Sequence, residues 1–220
     1  MQIEIIFTYQ TPGGIQAEFR SQLMDVTHAI ATAEDLEKTG RSIRFTFLDS
    51  DGNTWTLKEL KKLTEEIQSE PHHITVYFDG GYYPETEKSG LGCVIYFQQD
   101  GKSFRLRKNL PLEGLQSNNE AEYAALYLGL QQLEQMGVHH LAIKIVGDSR
   151  VVVHQMNDEW PCYEENLLRW IKRSERIIEA LGLRPQYQLV SRKENQEADH
   201  LATQALNGVV IDATKEIARR

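Results

Sequence analysis

Three alternating apolar segments in succession, Ile74–Asp79, Leu91–Gln98 and Ser103–Leu110, constrain this chain more than any other feature. A period of two puts every second side chain on one face of a strand. Asp100-Gly101 between the last two segments is a hairpin signal, so the three strands form an antiparallel meander. The period then changes. A helix is expected from Asn118 to Met136, a strand over Leu141–Val146, and a short helix from Ser149 to about Asn157 that Trp160-Pro161 breaks. Leu167, Ile171, Ile178 and Leu181 stripe one face of a helix from about Tyr163 to Leu181, before a strand over Gln186–Ser191 and a last helix from Glu194 to Leu206. The order βββαβααβα implies an α/β fold: a mixed five-stranded sheet, three strands antiparallel and then two parallel, flanked by helices with right-handed crossovers.

Upstream, Gln68-Ser69-Glu70-Pro71-His72-His73 reads as a boundary, since the residue before proline disfavours a continuing helix. Residues 1–69 are expected to form a small α+β domain. It opens with strands over Ile3–Tyr9 and through Phe19, joined by Thr11-Pro12-Gly13-Gly14, and continues with a helix from about Gln22 to Lys38 that Gly40 ends. A strand over Arg41–Leu48, a turn at Asp49–Asn53 and a helix over Leu57–Ile67 complete it. Residues 70–208 make the second domain, and residues 209–220 read as a loose tail or short helix.

The composition, 40% hydrophobic and 25% charged over 220 residues, is that of a soluble globular protein. No stretch approaches the ~20 apolar residues of a membrane span, and the start lacks a basic region followed by an apolar run, so neither export nor membrane insertion is expected. Cys93 and Cys162 show no metal-ligand spacing and suit a reducing cytoplasm. The net charge of -8 excludes a protein that grips nucleic acid by bulk electrostatics. Residues 1–70 carry 7 Lys and Arg against 12 Asp and Glu, net -5; residues 71–220 carry 17 against 20, net -3. Divalent ions on four carboxylates of the second segment would take it from -3 to +1, which permits weak, metal-dependent binding.

Those four are Asp79, Glu122, Asp148 and Asp199. Asp79 ends Ile74–Phe78 before Gly80-Gly81, Asp148 follows Leu141–Gly147 in the same manner, and Glu122 and Asp199 fall in Ala-rich helical runs. Carboxylates gathered without basic partners repel one another, and hard divalent cations relieve that repulsion. Each acid has a plainer reading: Asp148 as the cap of the helix at Ser149, Asp79 as turn chemistry, Asp199 as a solvated helix acid. That account needs four independent coincidences at one sheet edge. Ser117 and Glu120 fit a capping box, which makes Glu120 structural, and Glu122, roughly 200° further round the helix, points elsewhere.

The second domain resembles the type 1 ribonuclease H family over about residues 72–208. The resemblance rests on Asp79-Gly80-Gly81, on Ser117-Asn118-Asn119-Glu120-Ala121-Glu122, on Gly147-Asp148-Ser149, and on Asn195-Gln196-Glu197-Ala198-Asp199-His200-Leu201-Ala202, in that order. It implies a ribonuclease H-like fold and endonucleolytic hydrolysis of the RNA strand of an RNA/DNA hybrid, leaving a 5′-phosphate and a 3′-hydroxyl. Two Mg²⁺ ions, or Mn²⁺, would activate water and stabilise the leaving oxygen. By the same resemblance Asp79 bridges both ions, Asp199 completes the water-activating site, and Glu122 and Asp148 hold the leaving-group ion. Gly80, Gly81, Asn118 and Asn119 match positions that contact the hybrid, where amides read 2′-hydroxyls, their plainer readings being a turn and a helix start. Ser117 and Asn195 join them as expected substrate contacts, and Arg150, where many members have Gln, preserves such a contact or is a helix cation.

The chain departs from the family in two places. Ser191-Arg192-Lys193-Glu194 lacks the loop histidine of many members, and acidic Trp160-Pro161-Cys162-Tyr163-Glu164-Glu165 replaces a basic, Trp-bearing protrusion, leaving Trp160 as a packing residue. Both losses imply weaker binding or slower turnover. The alternatives are a non-catalytic nucleic-acid-binding module of the same fold and another nuclease of the superfold, an exonuclease or a transposase-like enzyme. The acidic first domain is expected to serve a protein partner, a structural role or intramolecular docking.

Overall fold

The computed structural model describes residues 1–218, and the chain divides into two units at Ser69/Glu70. In the first, β1 (Gln2–Gln10) pairs antiparallel with β2 (Gln16–Arg20), β3 (Met24–Asp25) and β4 (Ser42–Asp49), and β4 carries β5 (Thr54–Trp55). Helices α1 (Val26–Lys38) and α2 (Leu57–Ser69) cover the sheet, closing a core of Ile3, Ile5, Phe47, Ala29, Ala33 and Leu60. Helix α1 begins at Val26 rather than near Gln22. Met24-Asp25 is drawn into the sheet, and the Asp25 carboxylate caps the helix by accepting from the Thr27 and His28 amides at 3.0 and 3.1 Å.

The second unit runs β6 (His72–Tyr83), β7 (Lys88–Gln99), β8 (Lys102–Glu113), α3 (Asn118–Gln135), β9 (Ala142–Gly147), α4 (Arg150–Met156), α5 (Glu165–Ala180), β10 (Arg184–Leu189), α6 (Gln196–Leu206) and β11 (Asp212–Ile217). Its sheet has the order β10-β9-β6-β7-β8-β11, with β10, β9 and β6 parallel and the other neighbours antiparallel. This is the mixed sheet with flanking helices that the periodicity implies. Helix α3 lies on the face of Val76 and Gly80, and α6 on the opposite face, where Gly81, Gly90 and Gly92 stand. A Cβ at Gly92 would meet the Ala198 carbonyl oxygen at 2.4 Å, so only glycine lets α6 settle this close. Phe78, Ile95, Tyr123, Leu126, Leu130 and Ile145 form the centre of the core.

Two expectations need correction. Asp79 does not end its strand: β6 continues to Tyr83, because Gly80–Tyr83 stay paired with Lys88–Leu91 of β7. Nor are residues 209–218 a loose tail or helix. Asp212–Ile217 adds a sixth strand on the edge of β8, while 219 and 220 lie outside the described residues. Buried Asn109 makes that addition possible by accepting from the Ile211 amide at 2.6 Å and donating to the Leu201 and Val209 carbonyls, both at 2.9 Å. Among the described residues no helix is long and apolar enough to cross a membrane.

Candidate active site

Strand β9 leaves β6 after the pair Tyr77↔Val146. Two residues beyond that pair stand Asp79, still in β6, and Asp148, just past the end of β9, so the parallel register carries both acids to the same edge of the sheet. Glu122 arrives from the start of α3. The helix can press onto β6 there because a Cβ at Gly80 would sit 2.2 Å from Ala121 C and 2.4 Å from Glu122 N. The Gly80 amide in turn donates to Glu122 Oε2 at 3.2 Å. One oxygen from each of Asp79, Glu122 and Asp148 thus lies within 4.8 Å of the others.

Asp79 and Glu122 are only 8% and 7% exposed, and this shapes their chemistry. Burial, then the charges of Asp148 and Asp199, push the Asp79 pKa up to about 7. Burial, followed by the charges of Asp79 and Asp148, holds Glu122 well above the usual carboxylate range. Arg192 opposes both shifts from the rim, its Nε 3.5 Å from Asp148 Oδ2 and its side chain 93% exposed. One solvated guanidinium does not neutralise three clustered carboxylates. An all-oxygen donor set of this charge fits a hard divalent cation.

Asp199 stands outside the trio, exposed in the first turn of α6, yet near enough for its charge to raise Asp79. Asp148 is not the cap of α4. Ser149 is, accepting from the Val152 amide at 3.4 Å, which leaves the Asp148 carboxylate free for other work. Glu120 is structural, as the capping box implies, although the box is skewed by one residue. Ser117 Oγ accepts from Glu120 N at 3.2 Å, while Glu120 Oε2 reaches Gln116 N at 2.9 Å and Oε1 accepts from Trp170 Nε1 at 3.1 Å.

The expected substrate contacts separate into two groups. Asn118 and Arg150 are exposed at the starts of α3 and α4, with Asn119 half-buried beside the first and Ser117 committed to its cap. Gly80 is buried with its amide spent on Glu122, and the α3 backbone leaves no room for a Cβ there, whereas a Cβ on half-buried Gly81 would meet only the end of the Leu206 side chain, Cδ1 at 2.8 Å. Asn195, expected among the substrate contacts, is 1% exposed, and its amide donates to Phe78 O at 2.9 Å and to Asp148 Oδ1 at 2.8 Å, so it holds one oxygen of that carboxylate from behind. Phe78 O is available to it because β9 has already left β6. Arg192 was the residue the sequence underplayed, and its only signal was a place in the short loop before α6.

The family model described as reverse transcriptase-like matches residues 77–205, more than half of the chain. The chain belongs to that family. The uncharacterized protein YpeP of Bacillus subtilis is 46% identical over 173 residues, which are 79% of this chain and 76% of YpeP. The bifunctional protein Rv2228c of Mycobacterium tuberculosis is 27% identical over 143 residues, 65% of this chain but 38% of that protein. The solved N-terminal RNase H domain of Rv2228c superposes with a TM-score of 0.54 at 26% identity, covering 62% of this chain and 94% of that one. RNase H1 of Halobacterium salinarum gives 0.54 at 27%, covering 61% and 98%. The second unit of this reverse transcriptase-like protein is therefore a ribonuclease H-like domain, homologous to the type 1 enzymes.

Proposed function

We propose that this protein is a metal-dependent endoribonuclease that hydrolyses the RNA strand of RNA/DNA hybrids, leaving 5′-phosphate and 3′-hydroxyl ends. The observation that carries this reading is the convergence of Asp79, Glu122 and Asp148, their oxygens within 4.8 Å of one another, in a ribonuclease H-like domain. Asp79, Glu122, Asp148 and Asp199 would hold two Mg²⁺ ions, with Mn²⁺ as a substitute. Such ions supply an activated water and neutralise charge on the departing oxygen. The protein's own work is to keep the carboxylates in place. Gly80 N–H fixes one Glu122 oxygen, and Asn195 fixes one oxygen of Asp148. Exposed Asn118 and Arg150, with Asn119, supply donors for 2′-hydroxyls and phosphates along the hybrid, and Arg192 offers a cation at the rim. Two free cysteines fit a reducing compartment, the cytoplasm.

A substrate panel of internally and terminally labelled hybrid, duplex DNA and single-stranded RNA tests the activity with Mg²⁺ and with Mn²⁺. The expected result is internal cleavage of the hybrid's RNA strand alone, reduced at least a hundredfold by Asp79→Asn. Metal-independent hybrid binding without turnover would assign a binding module instead. Trimming from the ends, or cleavage of duplex DNA, would assign another nuclease of the superfold.

A further inference from the structure

Strand β2 is the open edge of the first sheet, and all five of its residues are exposed. Its inner side is satisfied by β1, with Thr11 N–H donating to Ile15 C=O at 2.8 Å and Ser21 N–H to Ile5 C=O at 2.9 Å. Alternation in an antiparallel ladder then turns the backbone groups of Gln16, Glu18 and Arg20 outward, a ready template for another strand. No proline or lysine blunts that edge. The side chains of Ile15, Phe19 and Leu23 are 71%, 50% and 58% exposed. Phe19 also ends a row of rings that crosses the sheet, Phe47 to Phe45 at 6.4 Å, Phe45 to Phe7 at 5.8 Å and Phe7 to Phe19 at 5.8 Å between centroids. Beside it lies a hollow of about 590 Å³ lined by Phe7, Tyr9, Phe19 and Leu36 among others.

We infer that β2 pairs antiparallel with β2 of a second copy of this chain, joining two first units into one continuous sheet. The sequence of the edge is self-complementary in one register. With Phe19 opposite Phe19, Glu18 faces Arg20 twice and Ile15 faces Leu23 twice, and Glu18 and Arg20 are the residues whose backbone groups point outward. A slip one way sets Glu18 against Glu18, and a slip the other way sets Arg20 against Arg20, placing like charges directly opposite. Arg20 now has Glu4 at 3.7 Å as its ion-pair partner and is 59% exposed, so it remains free to meet a second carboxylate. Charge and apolar complementarity thus select a second copy of this chain over a peptide of unrelated sequence.

Sedimentation of the full chain between about 1 and about 100 µM tests this. A monomer–dimer equilibrium is expected. Glu18→Arg places arginines opposite each other and Arg20→Glu places glutamates opposite each other, so each should weaken the dimer roughly tenfold or more. Mixed one to one, the two variants restore both ion pairs and should dimerise as the parent does, as should the double variant E18R/R20E. Recovery on mixing requires both variants to be folded, so it separates this interface from simple misfolding. A monomer at every concentration, a dimer that neither variant weakens, or two variants that stay monomeric when mixed would each overturn the inference.

Discussion

At the scale of single residues, the site depends on small groups that let larger ones approach. Gly80 is the clearest case, since any Cβ there would lie within 2.4 Å of α3 backbone atoms and no rotamer can relieve a clash with backbone. Gly80→Ala should destabilise the protein by about 2–3 kcal/mol and displace Glu122. Thermal unfolding and a Mg²⁺ titration of the variant check this, and unchanged metal affinity would show that α3 does not carry the site. The sequence presents Gly80 as turn chemistry or a substrate contact. Its packing role was hidden because the clashing partner lies some forty positions along the chain. The buried bonds of Asn195 were hidden for the same reason, as its partner Phe78 O is 117 residues distant. The Ser117–Glu120 cap, whose bonds close within a helical turn, was legible.

Among elements, the addition of β11 to β8 depends on one buried side chain. Asn109 satisfies the Ile211 amide and the Val209 carbonyl, and it also donates to the Leu201 carbonyl within α6, so its loss would orphan the first two together. Asn109→Leu should lower stability by roughly 2–4 kcal/mol and raise hydrogen exchange at Ile211 and along Asp212–Ile217 ahead of the rest of the sheet. Exchange mass spectrometry on the folded variant reads this out, and protection equal to the parent would contradict it. The strands and helices themselves were legible to within a few residues, because each declares its own period and cap. Strand β11 was not. Asp212–Ile217 is a short, polar, exposed segment whose strand state is set by the edge it meets.

In the molecule as a whole, the buried carboxylates couple folding to pH and to metal. The Asp79 pKa rises on folding from 3.8 to about 7, so between those values the folded state binds more protons than the unfolded chain. Stability must then fall as pH rises through that window, and Glu122, shifted the same way, adds to the fall. The metal-free protein should melt at a lower temperature at pH 8 than at pH 5.5, and Mg²⁺ should raise the melting temperature more at pH 8, where the ligands are ionised. Scanning calorimetry at both values, with and without Mg²⁺, tests the sign; an equal effect of Mg²⁺ at the two would place the metal elsewhere. The sequence by itself determined the boundary near Ser69, the order of elements, the four acids and their place beside helix starts and strands. Those features are local, set by periodicity and by hydrogen bonds within a turn. Which carboxylates converge, that Asp199 stands apart at the rim, and that Asn195 and Gly80 serve other residues were decided only by tertiary structure. Parallel register and the close approach of a helix to a strand join residues far apart in sequence, and no local pattern encodes that pairing.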